Sequence, residues 1–255
     1  MADTTPTPQP RIAVVTGASR GIGRAITRDL AGAGHRVIGL GRDQDALDAL
    51  ANDIDGDVQV MRCDVGDETE VTGVFTRIGQ VDILINNAGV SASNPVHRIS
   101  LAQWEEMIRI NATGPFLCTR AAVGGMRARG WGRIVTVASV AGLAGAPYIG
   151  AYAASKHAAI GLMRVVAAEL RATGVTANAV CPSYVRTSMT DRTVAGLAER
   201  TGGSATDGEA MLVDMMALGR LVEPEEVAAA VAYLVSPAAA AVNGQSIVID
   251  GGGLT

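Results

Sequence analysis

The chain has 255 residues and a formal net charge of −4, and 48% of its residues are hydrophobic while only 3% are aromatic. This weakly acidic balance has no basic cluster, so we expect no nucleic-acid partner. The three cysteines, Cys63, Cys118 and Cys181, have no metal-ligand spacing, and we expect reduced thiols, no metal site and a cytoplasmic location.

Residues 1–10 are rich in Thr and Pro and lack the basic start and apolar centre of a signal peptide. We therefore expect a flexible tail over 1–10 and one catalytic domain over 11–255. The uncharged run 134–155 is long enough to suggest a membrane span. Because it contains Pro147 and several glycines, a buried strand, a loop and the start of a helix explain it better, and we expect no membrane partner.

The first predicted unit is a strand, a glycine loop and a helix. A β-branched run at 11–16 precedes the loop 17–23, and an Ala, Ile and Leu helical pattern then reaches Ala33. A helix N-terminus attracts phosphate, and glycines let the backbone approach it. This context predicts a dinucleotide-binding loop, although a plain tight turn remains an alternative. The candidate cofactor-binding residues here are Gly17, Ser19, Arg20, Gly21, Ile22 and Gly23.

The second predicted strand, 36–40, runs out into Gly41, Arg42 and Asp43. In dinucleotide folds an acidic residue at this point holds the ribose 2′-hydroxyl of NAD, whereas an Arg accommodates the 2′-phosphate of NADP. Arg42, with Arg20 from the glycine loop, favours NADP(H) as cofactor, and NAD(H) remains possible. Asp43 either binds a ribose hydroxyl or caps the next helix, and capping is the better interpretation.

Two further strands end in candidate cofactor-binding residues. Asp64 and Val65 follow the strand 58–62, and Asp64 either bonds an adenine amine or caps a helix. The strand 81–85 precedes Asn86 and then Asn87, Ala88 and Gly89, which suit a backbone that passes close to a ribose. An ordinary Asx-turn is the alternative for this second motif.

A helical pattern covers 100–129, with Asn111 in its middle and Pro115 after it. Because Pro has no backbone N–H, we expect a kink near Asn111 that frees a carbonyl for a water molecule. The strand 133–138 then reaches Ser139, and a helix to about residue 173 carries Tyr152 and Lys156.

Tyr152 and Lys156 are four residues apart, so both side chains point from one helix face. A fixed cation favours the phenolate, and a shift of the tyrosine pKa to ~7 needs roughly 4 kcal/mol. Such a tyrosine could exchange a proton with a substrate oxygen that the Ser139 hydroxyl holds. This spacing alone is weak evidence, because Tyr and Lys often share an exposed helix face.

The strand 175–180 precedes Pro182, Val185 and Thr187, and the last strand is 246–250. Between them, 188–220 is long and interrupted by glycines, which is typical of a substrate-binding lid. Its methionines either line an apolar pocket or pack a helix pair. Alternating strands and helices predict an α/β fold: a doubly wound, Rossmann-type, mostly parallel seven-stranded sheet with helices on both faces.

These motifs occur in the order found in the short-chain dehydrogenase/reductase family, which the chain resembles over about residues 11–253. The motifs are Thr16 with the loop 17–23, then 86–89, Asn111, Ser139, Tyr152 and Lys156. By this resemblance Tyr152 is the general acid/base, Ser139 orients a substrate carbonyl, and Lys156 binds the nicotinamide ribose and lowers the Tyr152 pKa. Asn111 would hold a water in the proton relay. Tyr152 and Lys156 thus count as both catalytic and cofactor-binding.

The resemblance is strongest to 3-oxoacyl thioester reductases and ketoreductases. It implies an NADP(H)-dependent interconversion of ketone and secondary alcohol, with an acyl thioester or polyketide-type ketone as one substrate class. It also implies a homotetramer or homodimer. An NAD-dependent alcohol or hydroxyacyl dehydrogenase is the alternative, and a non-catalytic NADP(H) sensor is a more distant one. The resemblance also implies that Pro182, Val185 and Thr187 contact the cofactor. Ser183 replaces the usual glycine after Pro182, so the backbone there is expected to differ slightly.

Overall fold

The computed structural model of the chain describes residues 10–254, without the side chain of Arg200, and the tail expected over 1–10 lies almost entirely outside these residues. The strands are β1 (Ile12–Thr16), β2 (Arg36–Gly41), β3 (Val58–Arg62), β4 (Ile83–Asn86), β5 (Gly132–Val137), β6 (Val175–Pro182) and β7 (Ser246–Ile249). The α-helices are α1 (Gly21–Gly32), α2 (Gln44–Asp53), α3 (Glu68–Ile78), α4 (Leu101–Ile108), α5 (Gly114–Arg129), α6 (Gly150–Glu169), α7 (Ser188–Thr201), α8 (Ala205–Asp214) and α9 (Pro224–Val235).

The strands form one sheet in the order β3-β2-β1-β4-β5-β6-β7. Each neighbouring pair among these described strands is parallel, which confirms the predicted doubly wound sheet. The strand order reverses between β1 and β4, and ligands of such sheets bind outside the carboxyl ends of the strands at this point.

Helices cover both faces of the sheet, and two apolar cores result. β5 and β6 are buried along their whole length, as strands covered on both faces must be. One core joins the sheet to α1, α2 and α9 through residues such as Leu30, Leu50 and Val231. The other joins it to α3, α5 and α6 through Phe75, Leu117 and Met163.

Side-chain caps set where several helices begin. Asp43 accepts a hydrogen bond from the Ala46 N–H at 3.1 Å, which confirms its expected role as the cap of α2. Asp67 caps α3 in the same way through the Glu70 N–H. The helix cap therefore belongs to Asp67 and not to Asp64.

The predicted kink near Asn111 is confirmed as a π-helical turn, Arg109–Thr113, between α4 and α5. Pro115 is the second residue of α5 and has no N–H for the carbonyl of Asn111. The Gly114 N–H instead bonds the Arg109 carbonyl five residues back. The turn holds Asn111 at 1% exposure against α6.

The segment 188–220 forms a helix pair with a small core of its own. Val194 of α7 and Leu212 of α8 pack with Leu221. Gly208 allows close approach, because a Cβ there would lie 2.6 Å from the Val194 carbonyl oxygen. Packing of two helices is therefore the better of the two interpretations of this segment, although Met215 stays 63% exposed.

The uncharged run 134–155 divides into β5, a 3₁₀ turn at Val140–Gly142, a loop and the start of α6. No helix within residues 10–254 combines the length and the apolar character needed to cross a bilayer.

Candidate active site

The site residues predicted from the sequence gather at the carboxyl ends of β1, β4, β5 and β6. The glycine loop follows β1, Asn87 to Gly89 follow β4, Ser139 follows β5, and Val185 and Thr187 follow β6. Because neighbouring parallel strands end at one edge, these segments border one crevice.

The glycine loop is packed too closely for side chains. Gly17 and Gly21 have φ angles of +64° and +52°, a region that L side chains rarely adopt. A Cβ on Gly23 would clash with the Gly17 carbonyl oxygen, and one on Gly21 would lie 2.9 Å from Thr187 Cγ2. Thr187 therefore borders the loop, and the loop exposes backbone in front of the α1 N-terminus, where an anion is stabilised.

Thr16, the last residue of β1, holds the loop against the segment after β4. Its Oγ1 accepts hydrogen bonds from the N–H groups of Asn87 and Ala88, both at 2.9 Å. In return, the Asn87 side-chain amide donates to the carbonyls of Thr16 at 2.9 Å and Gly17 at 3.1 Å. Thr16 belongs to the family motif of the glycine loop, but it was not among the predicted site residues.

The two arginines predicted to favour NADP(H) follow β1 and β2, which are neighbouring strands. Arg20 is the N-cap residue of α1, and Arg42 follows β2, and both side chains are exposed. Within residues 10–254 neither guanidinium forms an ion pair. Ser19 and Ile22, the other predicted loop residues, are partly buried.

Asp64 is partly committed to another partner. Its Oδ1 accepts from the Gly66 N–H at 2.9 Å and its Oδ2 accepts from Arg109 at 3.1 Å. Burial raises the pKa of this carboxyl, but the Gly66 and Arg109 bonds outweigh it and hold the pKa below its usual range. The Val65 side chain packs in the core beside Gly114, so contact with a ligand there would come from its backbone.

Ser139, Tyr152 and Lys156 form a largely buried polar group between β5 and α6. Ser139 is 8% exposed, and its hydroxyl accepts from the Ala141 N–H and donates to the Pro182 carbonyl. The Lys156 ammonium donates to the Val137 carbonyl at 2.9 Å and lies 5.8 Å from the centroid of the Tyr152 ring. A Cβ on Gly89 would lie 3.5 Å from this ammonium, so the segment after β4 closes over it.

The pKa expected for Tyr152 is wrong in direction. Burial raises the pKa of the phenol above its ordinary value, and the hydrogen bond with Ser139 opposes this only in part. Burial also lowers the pKa of Lys156 to about 8. The Lys156 ammonium is bound to a backbone carbonyl and is itself buried. The burial of the Tyr152 phenol therefore raises its pKa more than the nearby positive charge lowers it.

Asn111 is held by both polar atoms of its side chain. Its Oδ1 accepts from the Val90 N–H and its Nδ2 donates to the Val90 carbonyl, both at 2.9 Å. The same Nδ2 donates to the hydroxyl of Ser155 at 3.0 Å. The side chain is therefore structural, and a relay role for this residue would fall to its backbone carbonyl. Ser155 is a further residue that the sequence analysis did not predict.

The departure at Ser183 has no strained backbone. Ser183 is not among the described residues with positive φ. Its N–H and its hydroxyl both donate to the Ile249 carbonyl, at 3.1 and 3.4 Å. Serine therefore fits at this position after Pro182. Tyr184, the next residue, is 36% exposed and interacts electrostatically with Tyr152, a neighbour that the sequence did not indicate.

A family model described as short chain dehydrogenase matches residues 11–198. The chain belongs to the short-chain dehydrogenase/reductase family. It is therefore an oxidoreductase that acts between carbonyl and alcohol groups. No cluster of three potential metal ligands occurs in the part of the chain that the structure describes.

Similar proteins cover nearly the whole chain. One, from Streptomyces violaceoruber, has the name "Granaticin polyketide synthase putative ketoacyl reductase 1" and is 40% identical over 94% of this chain and 92% of its own length. The 3-oxoacyl-acyl-carrier-protein reductase FabG of Escherichia coli is 34% identical over 95% of this chain and 96% of its own. A crystal structure of an actinorhodin polyketide ketoreductase variant with NADPH superimposes with a TM-score of 0.92, at 34% identity and 95% and 97% coverage.

Substitution Gly23→Ala should weaken dinucleotide binding by about 10–100-fold, because relief of the clash with the Gly17 carbonyl costs about 1–3 kcal/mol. Gly32→Ala is the matched control, since it lies on the same helix and a Cβ there meets nothing within 4 Å. Fluorescence titration with NADPH measures both. Equal affinities for the two variants would contradict the assignment of this loop.

Proposed function

We propose that this protein reduces a ketone to a secondary alcohol with NADPH, and that Tyr152 is the general acid. The observation that carries the proposal is the group of buried Ser139 and Lys156 with half-buried Tyr152, at the strand ends that also carry the close-packed glycine loop. An oxidoreductase of this kind needs a proton donor for the substrate oxygen next to a dinucleotide site, and this chain has such a donor in Tyr152.

The close packing at the glycine loop fits the binding of a dinucleotide. The positions where a Cβ would clash or strain the backbone, Gly17, Gly21 and Gly23, are those where phosphate oxygens need direct access to N–H groups. We propose that the loop holds the pyrophosphate and that Asn87, Ala88 and Gly89 border the nicotinamide ribose. Asp64, Val65, Pro182, Val185 and Thr187 complete the proposed cofactor contacts.

The protonation states favour reduction near neutral pH. Because burial raises the Tyr152 pKa, the phenol keeps its proton and can donate it to a carbonyl oxygen. Bound NADPH supplies the hydride that reduces the carbonyl carbon. Ser139 holds the same oxygen, and the Lys156 ammonium stabilises the phenolate that proton donation leaves. In the proposed relay a proton returns to Tyr152 from a water that the backbone carbonyl of Asn111 would hold.

The preference for NADPH is supported by the two exposed cations. Arg20 and Arg42 have no ion pair within residues 10–254, so both can meet a 2′-phosphate. The actinorhodin ketoreductase of the similar crystal structure also carries NADPH.

We propose an acyl thioester or a polyketide-type ketone as the substrate class, because the similar proteins are ketoacyl and 3-oxoacyl reductases. The helix pair over 188–220 is the proposed substrate-binding lid.

We also propose a homotetramer or homodimer, supported by exposed Trp104, Phe116 and Val165 on α4, α5 and α6. Free cysteines at 63, 118 and 181 support a reducing, cytoplasmic compartment.

Tyr152→Phe should lower kcat by about 10²–10⁴-fold, the usual contribution of a general acid, while NADPH affinity stays within about twofold. Steady-state assays on 3-oxoacyl thioesters and cyclic ketones, with NADPH titration, measure both. Tyr184→Phe is the control, because it removes a neighbouring phenol and should change kcat only a few-fold. Loss of turnover in Tyr184→Phe alone would transfer the acid role to that residue.

Arg42→Ala should weaken NADPH binding by about 10–100-fold, the loss of a charge-assisted hydrogen bond of about 1.5–3 kcal/mol, and leave NADH binding unchanged. Arg62→Ala is the matched control, since Arg62 ends the neighbouring strand but already pairs with Glu70 at 3.3 Å. Titrations of the native chain and both variants with NADPH and with NADH measure these affinities. An unchanged NADPH affinity, or tighter NADH binding by the native chain, would defeat the preference.

The kcat/KM for NADPH should fall as pH rises through about 8, because the Lys156 ammonium, with its pKa lowered to about 8, is lost there. Tyr152 cannot cause this decline, since its pKa is raised above its ordinary value. Cys118→Ala should leave the profile unchanged, because burial raises the pKa of that thiol far above this range and Lys156 is not among its electrostatic neighbours. A profile that stays flat to pH 10 would exclude the ammonium.

A further inference from the structure

Ser155 lies on α6 between Tyr152 and Lys156 and is completely buried. Its hydroxyl donates to the Tyr152 carbonyl at 2.7 Å and accepts from Asn111 Nδ2 at 3.0 Å. A hydroxyl has one proton, so donation to Tyr152 leaves its lone pairs for Asn111. The direction of both hydrogen bonds is therefore determined.

The Asn111 amide has a determined direction as well. Its Oδ1 accepts from the Val90 N–H, so its Nδ2 must face the Val90 carbonyl and Ser155. A continuous series of hydrogen bonds thus joins the segment after β4, the π-helical turn and the backbone of Tyr152. All of these partners come from elements that border the crevice.

Apolar packing holds α6 against its neighbours, but such packing is non-directional and tolerates small shifts. The hydrogen bond between Asn111 and Ser155 is directional and buried, and it acts within one turn of both the Tyr152 phenol and the Lys156 ammonium. Small displacements of reacting groups cost large factors in rate. This bond is therefore placed to determine how far α6 sits from the π-helical turn.

We propose that Ser155 is a positioning residue, which sets the Tyr152 phenol and the Lys156 ammonium relative to the Asn111 backbone. This inference rests on the proposed function of Tyr152. Ser155 itself is enclosed by protein and touches no reacting atom. Its effect should therefore appear in kcat and not in cofactor binding.

The test is Ser155→Ala with Thr119→Val as the matched control. Thr119 also carries a buried helix hydroxyl that accepts from an asparagine amide, Asn86 Nδ2 at 3.1 Å, but it lies on α5 and not on α6. We expect Ser155→Ala to lower kcat by about 10–100-fold, with KM for the ketone and the Kd for NADPH within about twofold of the native values. The thermal midpoint of unfolding should fall by similar amounts in Thr119→Val and Ser155→Ala, because each loses one buried hydrogen bond. Thr119→Val should leave kcat within about twofold of the native value.

A second variant, Ser155→Cys, retains a small polar side chain with a weak acceptor, and its kcat should lie between those of Ser155→Ala and the native chain. The inference fails if Ser155→Ala keeps a native kcat, if Thr119→Val loses kcat equally, or if the cysteine variant is no faster than the alanine variant. Tyr152→Phe in the same assay separates the two proposals. Native turnover in that variant refutes the proposed function, whereas its loss together with native turnover in Ser155→Ala refutes only the role of Ser155.

Discussion

The hydrogen bond from the Lys156 ammonium to the Val137 carbonyl is the contact on which the arrangement of the site depends. A charged group at 6% exposure is costly unless a polar partner compensates for the water that it loses. Val137 is the last residue of β5, and its carbonyl points into the crevice because the strand ends there. The cost that remains appears as the lowered pKa of the lysine. The segment after β4 lies beside the same ammonium, since a Cβ on Gly89 would be in van der Waals contact with it at 3.5 Å.

The polar groups at the ends of the strands have no partners within the sheet. In the site they form hydrogen bonds with one another. Four hydrogen bonds join Thr16 and Gly17 to Asn87 and Ala88 and so connect β1, the glycine loop and the segment after β4. One hydrogen bond, from Asn111 to Ser155, connects the π-helical turn to α6. Because buried polar groups must be paired, a change in one segment is transmitted to the others. The segments that border the crevice are thus joined by hydrogen bonds without a ligand between them.

The sequence was sufficient for features that depend on local chemistry. The strand ends, the cap at Asp43 and the kink before Pro115 each follow from one residue type at one position, and the structure has them. Three features depend on distant partners and were not predictable. Asp64 meets Arg109, 45 residues away, and Ser155 meets Asn111, 44 residues away. The pKa of Tyr152 was expected to fall because the lysine was visible in the sequence, whereas the burial that raises it was not.

The π-helical turn Arg109–Thr113 holds one residue more than a regular helical turn would. A regular helix turns by about 100° per residue, so the wider turn changes the rotational phase between α4 and α5. With this phase Leu117 and Met126 of α5 reach the core, while Asn111 faces α6. Deletion of one residue within the turn would be absorbed by a return to regular helix, which keeps the apolar face of α5 on the sheet but removes the wide turn that holds Asn111 against α6.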